Sequence, residues 1–180
     1  MAKPDGQSPD ECYKPSHRFE RECMTARTDS YITEAGLEPT ADAKVDRPVY
    51  RRPGFDGIAS TQAMDETIAE ALSKFRKQKD LSRAELAMLI GSIEAVYGRY
   101  ERAVTKLHAT QVLHLCEVLG IFPDDLLFDA APHLWGNTRE EALERRRITR
   151  MIQALPPETL RTVATILDSI FALQKAPGGA

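Results

Sequence analysis

Long apolar runs are missing from this 180-residue chain. None approaches the roughly 18 residues of a membrane span, so no transmembrane helix is expected. The first residues lack the apolar stretch of a secretory signal. Cysteine is scarce, with Cys12, Cys23 and Cys116 making 3 in all. An odd, sparse set builds no disulfide framework and fits a reducing compartment, so a cytoplasmic protein is expected. Cys12, His17 and Cys23 fall short of the four closely spaced ligands of structural zinc, and no metal or other cofactor is expected. Phosphate-binding loops, zinc-protease boxes and nucleophile elbows are absent, which removes support for an enzyme. A basic excess is also missing: 24 Lys and Arg stand against 27 Asp and Glu, for a net charge of −3. Phosphate binding needs Lys and Arg to displace counterions, so any nucleic-acid partner would have to meet a local basic face.

What is present divides into three stretches. Residues 1–63 hold six of the eleven prolines and show no sustained period of 3.6 or 2. They are expected to form a largely irregular or disordered extension. Met64, where a helical pattern begins, is a candidate for the native start. Residues 64–130 form the second stretch, with 8 basic and 11 acidic side chains. Ile68, Leu72 and Phe75 recur at helical spacing from Asp65 onward, with acids first and bases last, as the helix dipole favours. Asp80 or Ser82 can cap the next helix, and Ser82 with Glu85 reads as a capping box. Leu86, Leu89 and Ile90 are its expected inner face, and Gly91 its end. Ile93, Tyr97 and Tyr100 mark the inner side of a third helix. Val112, Leu115, Cys116 and Leu119 mark that of a fourth, which stops at Gly120. Pro123 opens a fifth. No strand signal interrupts them.

The third stretch, residues 131–180, reads as a helical hairpin. Asn137 or Thr138 caps its first helix, with Thr138 and Glu141 as a capping box. Ile148, Met151, Ile152 and Leu155 form an apolar stripe. After Pro156 and Pro157, a second stripe follows at Leu160, Val163, Leu167, Ile170 and Phe171. Stripes of this length call for a partner surface, and a homodimer through residues 138–174 is expected. The arginines of "ERRRITR" (144–150) alternate with acids and read as the solvated face of that helix.

Residues 66–128 resemble the lambda-repressor-like helix-turn-helix family, the xenobiotic-response-element or Cro-type transcriptional regulators. The resemblance is carried by "LSRAELAMLIG", "RYER" and "LHLCEVLGIFPDDLL". Ala87 stands where the family lets its two motif helices approach. Gly91 stands in the turn, and Tyr100-Glu101 ends the reading helix. The resemblance implies an all-α fold: a five-helix DNA-binding domain, here followed by the two-helix hairpin. It also implies a sequence-specific DNA-binding transcriptional regulator, a repressor of bacterial, phage or mobile-element origin that binds double-stranded DNA.

The departures bear on function. Where the family places Gln at the head of the first motif helix, this chain has Arg83, which can hold a phosphate through a charge-assisted bond. After Gly91 the family has an apolar residue and then Ser; here Ser92 precedes Ile93, an order that would roll the third helix. Glu94 replaces a Gln, Ala95 follows it, Gly98 replaces a Ser, and Ala103 replaces the glycine after the helix. The candidate DNA-contacting set is Arg83, Ile93, Glu94, Ala95, Gly98, Arg99, Arg102 and Lys106, with Arg99 foremost because arginine pairs bidentately with guanine. Lys74, Arg76, Lys77 and Lys79 form a further basic cluster. Tyr97 and Tyr100 read as core, His108 and His114 as structural residues, and Cys116 as a buried, unreactive thiol. Glu94, Gly98 and the acidic balance keep a second reading open: a helix-turn-helix fold used for protein contact, as an antitoxin-like or anti-repressor subunit.

Overall fold

The computed structural model describes residues 26–42 and 45–175. They form two compact units that divide between Ala131 and Pro132. The described chain is mostly helical, with one small two-stranded sheet.

The first unit opens with regular structure where an irregular extension was expected. Helix α1 (Ala26–Glu34) buries none of its residues. It is followed by an antiparallel hairpin of β1 (Glu38–Asp42) and β2 (Val45–Arg51). Pro39 pairs with Tyr50 and Thr40 with Val49, and the register shifts between Thr40 and Asp42. Two prolines, Pro39 and Pro48, lie inside these strands. Proline removes a ladder donor, but each strand of a two-stranded ribbon has an open edge where that donor has no partner to lose. The ribbon is tied to the helix that follows. The Thr61 hydroxyl donates to the Asp42 carboxylate at 2.5 Å. Arg51 donates to the Ala59 carbonyl and, at 2.6 Å, to the Met64 sulfur. The metal reading of Cys12, His17 and Cys23 lies outside the described residues.

Five helices follow in this unit: α2 (Thr61–Gln78), α3 (Arg83–Leu89), α4 (Glu94–Tyr100), α5 (Ala109–Leu119) and α6 (Pro123–Leu127), with a 3-10 turn at Phe128–Ala130. Helix α2 starts ahead of Asp65, where the helical pattern becomes visible, because the Ser60 hydroxyl accepts the Ala63 N–H at 3.0 Å. Such a cap satisfies one of the orphan donors of the first turn. Helix α3 opens with a closed capping box: Ser82 Oγ accepts the Glu85 N–H at 3.2 Å, and the Glu85 carboxylate accepts the Ser82 N–H at 2.7 Å. Gly91 ends it at φ +67°. There the Gly91 N–H donates to the Met88 carbonyl and the Ser92 N–H to the Ala87 carbonyl. That pair of bonds satisfies the last carbonyls and requires left-handed backbone at position 91.

The core of this unit gathers residues from each of α2 to α6. Leu72, Leu86, Ala87, Tyr97, Leu115, Leu119 and Leu126 are almost fully buried, with Phe75, Ile90, Val112 and Leu127 packed around them. Two expectations fail here. Leu89 is half exposed, and Ile93 is 66% exposed at the N-cap of α4. The rotation of α4 is set by Tyr97 and Tyr100, both buried, rather than by the isoleucine. Two aromatic side chains bury more apolar surface than one isoleucine, so Ser92 takes the half-buried position and the helix does not roll.

The second unit has a 3-10 turn at Pro132–Leu134, then α7 (Arg139–Gln153) and α8 (Pro157–Lys175). Thr138 Oγ accepts the Glu141 N–H at 3.1 Å, but the Glu141 carboxylate takes the Asn137 N–H instead of closing a box on Thr138. An added Cβ at Gly136 would meet the Ala142 backbone nitrogen at 2.7 Å, so the chain crosses α7 there with no room for a side chain. Arg145 pairs with Glu141 and Arg147 with Glu144 along the solvated side of α7. Large apolar side chains stay exposed on both helices, among them Leu143, Ile148, Met151, Ile166, Ile170 and Phe171.

Ala103, just past α4, adopts φ +53°. It sits in the same double-bonded turn as Gly91: the Ala103 N–H donates to the Tyr100 carbonyl and the Val104 N–H to the Arg99 carbonyl. An L side chain is strained in that backbone region. Ala103→Gly is expected to stabilise the protein by about 0.5–1 kcal/mol in urea unfolding, the relief of strain exceeding the added entropy of the unfolded glycine. An equal or lower stability would refute the strained turn.

Candidate nucleic-acid interface

The last residue of the α4 region organises the site. The Glu101 carboxylate is buried, with none of its side-chain surface exposed. Arg76 of α2 donates to it from Nε at 2.6 Å and from Nη2 at 3.1 Å. Arg83, the first residue of α3, donates from Nε at 2.7 Å. The Tyr97 hydroxyl donates at 2.8 Å, one helical turn back, and the Ser73 hydroxyl at 3.4 Å. Arg76 also reaches the Leu81 carbonyl at 2.7 Å in the turn between α2 and α3. A single carboxylate therefore joins α2, α3 and α4. Burying a charge is costly unless it is paired and fully hydrogen-bonded, and Glu101 meets both conditions.

Ionisation follows from this geometry. Burial pushes the Glu101 carboxyl up, but the bonds from Arg76, Arg83 and Tyr97 outweigh it and hold the group at about 2. Burial, then the adjoining Glu101 carboxylate, pushes the Tyr97 phenol above its usual range. The bond to Glu101 likewise raises Arg76. At Cys116, burial and then the charges of Asp125 and Asp124 push the buried thiol up to about 11. A thiol held in that form is a poor nucleophile.

With α4 held in this way, Tyr97 and Tyr100 face the core and the opposite side faces solvent. At 100° per residue, Ala95 and Arg99 lie along that outer ridge, and Arg102 follows in the turn just past α4. Ala95, Arg99 and Arg102 are all exposed, and among the described residues neither arginine's side chain has an ion-pair partner. Val96 flanks the ridge, Ile93 is exposed at the N-cap of α4, and Glu94 stands exposed at the head of the helix. Gly98 is not an exposed contact residue: it is buried, and the Arg102 guanidinium lies over it, with Nη1 3.1 Å from where a Cβ would stand.

The other candidate bases are engaged elsewhere. Arg83 is tied to Glu101 through Nε while keeping 44% of its side chain exposed. Lys106 reaches back to Asp65 of α2 at 3.3 Å. Arg76 does not belong to a surface cluster with Lys74, Lys77 and Lys79; it is buried in the pair with Glu101. Sequence reasoning passed over that pair, yet a signal existed. Arg76 follows Leu72 by one helical turn and so falls on the apolar stripe of α2, where a charge must find a partner. His108 and His114 are both exposed, and no cluster of three or more metal-ligating side chains occurs among the described residues. No helix among them is long and apolar enough to cross a membrane.

Three solved structures are similar to part of this chain. One is the clp gene regulator ClgR from C. glutamicum, 25% identical, with a TM-score of 0.36, covering 37% of this chain and 87% of that one. A second structure of ClgR from Corynebacterium glutamicum is 20% identical with the same TM-score and covers 50% of this chain and 90% of that one. The restriction-modification controller protein C.AhdI from Aeromonas hydrophila is 28% identical, also at 0.36, and covers 38% of this chain and 99% of that one. Both proteins are helix-turn-helix regulators of the Cro and lambda-repressor-like type. Overlaps this partial carry no functional weight. No protein-family model and no curated protein matches the chain.

Glu101 has a folded-state pKa below its ordinary 4.5. Its stabilising contribution is therefore complete above that value and is lost as pH falls toward about 2. Glu101→Gln, which leaves Arg76 buried without a counter-charge, is expected to cost about 3–5 kcal/mol at pH 7. The gap between wild type and variant should close by on the order of 3 kcal/mol between pH 5 and pH 2. Urea unfolding of both proteins across that range checks it. A gap that does not change with pH would refute the charge-based clamp.

Proposed function

We propose that this chain is a sequence-specific DNA-binding regulator that lays α4 in the major groove. One observation carries the reading. A helix locked to two neighbours by a buried carboxylate turns outward a ridge with two unpaired arginines, Arg99 and Arg102. The major groove is about 12 Å wide and admits a helix of this kind, and a rigidly held arginine can pair with guanine O6 and N7. Arg83, 44% exposed, would add a phosphate contact with its outer guanidinium edge. We propose repression as its mode, which the family resemblance of residues 66–128 implies.

The second unit supplies the likeness of a dimerisation element: two amphipathic helices whose apolar side chains remain exposed. We propose that a second copy covers them through an isologous contact, which would place two reading helices on a two-fold site. Protein contact is the alternative function. It is favoured by a specific patch: Met88 is 70%, Leu89 50% and Ile93 66% exposed around the α3–α4 turn, next to the acidic Glu94.

Arg99→Ala is expected to weaken binding to the specific duplex by about 1–3 kcal/mol while leaving non-specific binding nearly unchanged. Glu94→Gln should raise affinity for all duplexes by removing a negative charge near phosphate. Arg83→Ala is a less clean test than its exposed position suggested, because it also removes a bond to buried Glu101. Fluorescence anisotropy at several salt concentrations measures all three. Absence of binding to any duplex at low salt would favour the protein-contact reading. Separately, the double change Leu167→Glu and Phe171→Glu should yield a monomer in light scattering, and a persisting dimer would place the contact elsewhere.

A further inference from the structure

The outer face of α4 carries more than its two arginines. Ala95 is exposed one turn before Arg99 on the same ridge, Val96 beside it is 37% exposed, and Ile93 at the N-cap is 66% exposed. None of these three side chains has a hydrogen-bonding atom. Between the Glu94 carboxylate at its head and the guanidiniums of Arg99 and Arg102, this helix offers methyl groups where a reading helix can offer further donors and acceptors to base edges. On the major-groove edge of a base pair, the apolar feature is the C5 methyl group of thymine. We infer that the reading row of α4 takes a guanine on Arg99 and packs thymine methyl groups against Ala95 and Val96. This rests on the DNA-binding reading and adds the base preference of the site. Ala95 and Arg99 are four residues apart, about 6 Å along the helix axis. Successive bases rise about 3.4 Å along a strand, so the thymines fall within about two steps of the guanine. Tyr97, Tyr100 and Glu101 fix which residues form this row, since they set the rotation of α4.

The test begins with the full chain and a randomised duplex pool, selected at low salt. The enriched half-site is then made again with deoxyuridine in place of thymine, which deletes the methyl group and nothing else. The expected site has a guanine with thymine within two steps. Each deleted methyl group should weaken binding about four-fold, and Val96→Ala should lose part of that dependence while still selecting the guanine. An enriched site without thymine near the guanine, or equal binding of the deoxyuridine duplex, overturns the inference and leaves the DNA-binding reading standing. If no duplex is enriched, both fall together.

Discussion

The buried Glu101 carboxylate is the constraint on which the site depends. Burial of Tyr97 and Tyr100 favours one rotation of α4, but Ser92-Ile93, with its apolar residue one position away from where a reading helix would ordinarily have it, leaves some freedom. Glu101 removes that freedom. It must lie within bonding distance of Arg76 on α2 and Arg83 on α3, and it must also take the Tyr97 hydroxyl from its own helix. One rotation of α4 satisfies all three, and it is the one that puts Tyr97 and Tyr100 in the core. Ile93 is left exposed as a result. The ion pair need not exceed a hydrophobic substitute in stability to do this, since its role is to select one packing among several.

The same interaction accounts for how an acidic domain can still present a basic edge. Arg76 and Arg83 neutralise Glu101, and Lys106 is drawn to Asp65. Those bases serve structure first, with Arg83 keeping an exposed edge. What remains at the ridge is Arg99 and Arg102, with Glu94 opposing them at the head of the helix. Few bases left for phosphate mean few counterions released, so salt dependence should be shallow and discrimination should rest on base contacts.

Much of the helix-turn-helix unit was legible in the sequence. Ser82 with Glu85 announced the start of α3, Gly91 its end and Pro123 the start of α6, because each residue type answers a local backbone need. The inward set of α5 was likewise clear from its spacing. Three things were not legible. The hairpin at residues 38–51 was hidden by Pro39 and Pro48, which argue against strands except where an edge is free. The stripe of α2 hinted at the burial of Arg76, but its partner was hidden, an acid 25 residues away, a distance at which helical periodicity says nothing. The exposure of Ile93 and the burial of Gly98 followed from the rotation of α4, which Tyr97, Tyr100 and Glu101 set together. The strain at Ala103 was visible only as an unexplained replacement of a turn glycine.

Hydrogen–deuterium exchange of the full chain, with and without a selected duplex at low salt, addresses the central claim most directly. If the locked α4 ridge reads DNA, slowed exchange should concentrate in residues 93–106 and in the first turn of α3 around Arg83. The α5 core, already protected, should change little. Duplex binding that leaves residues 93–106 unchanged and protects another surface instead would contradict the account.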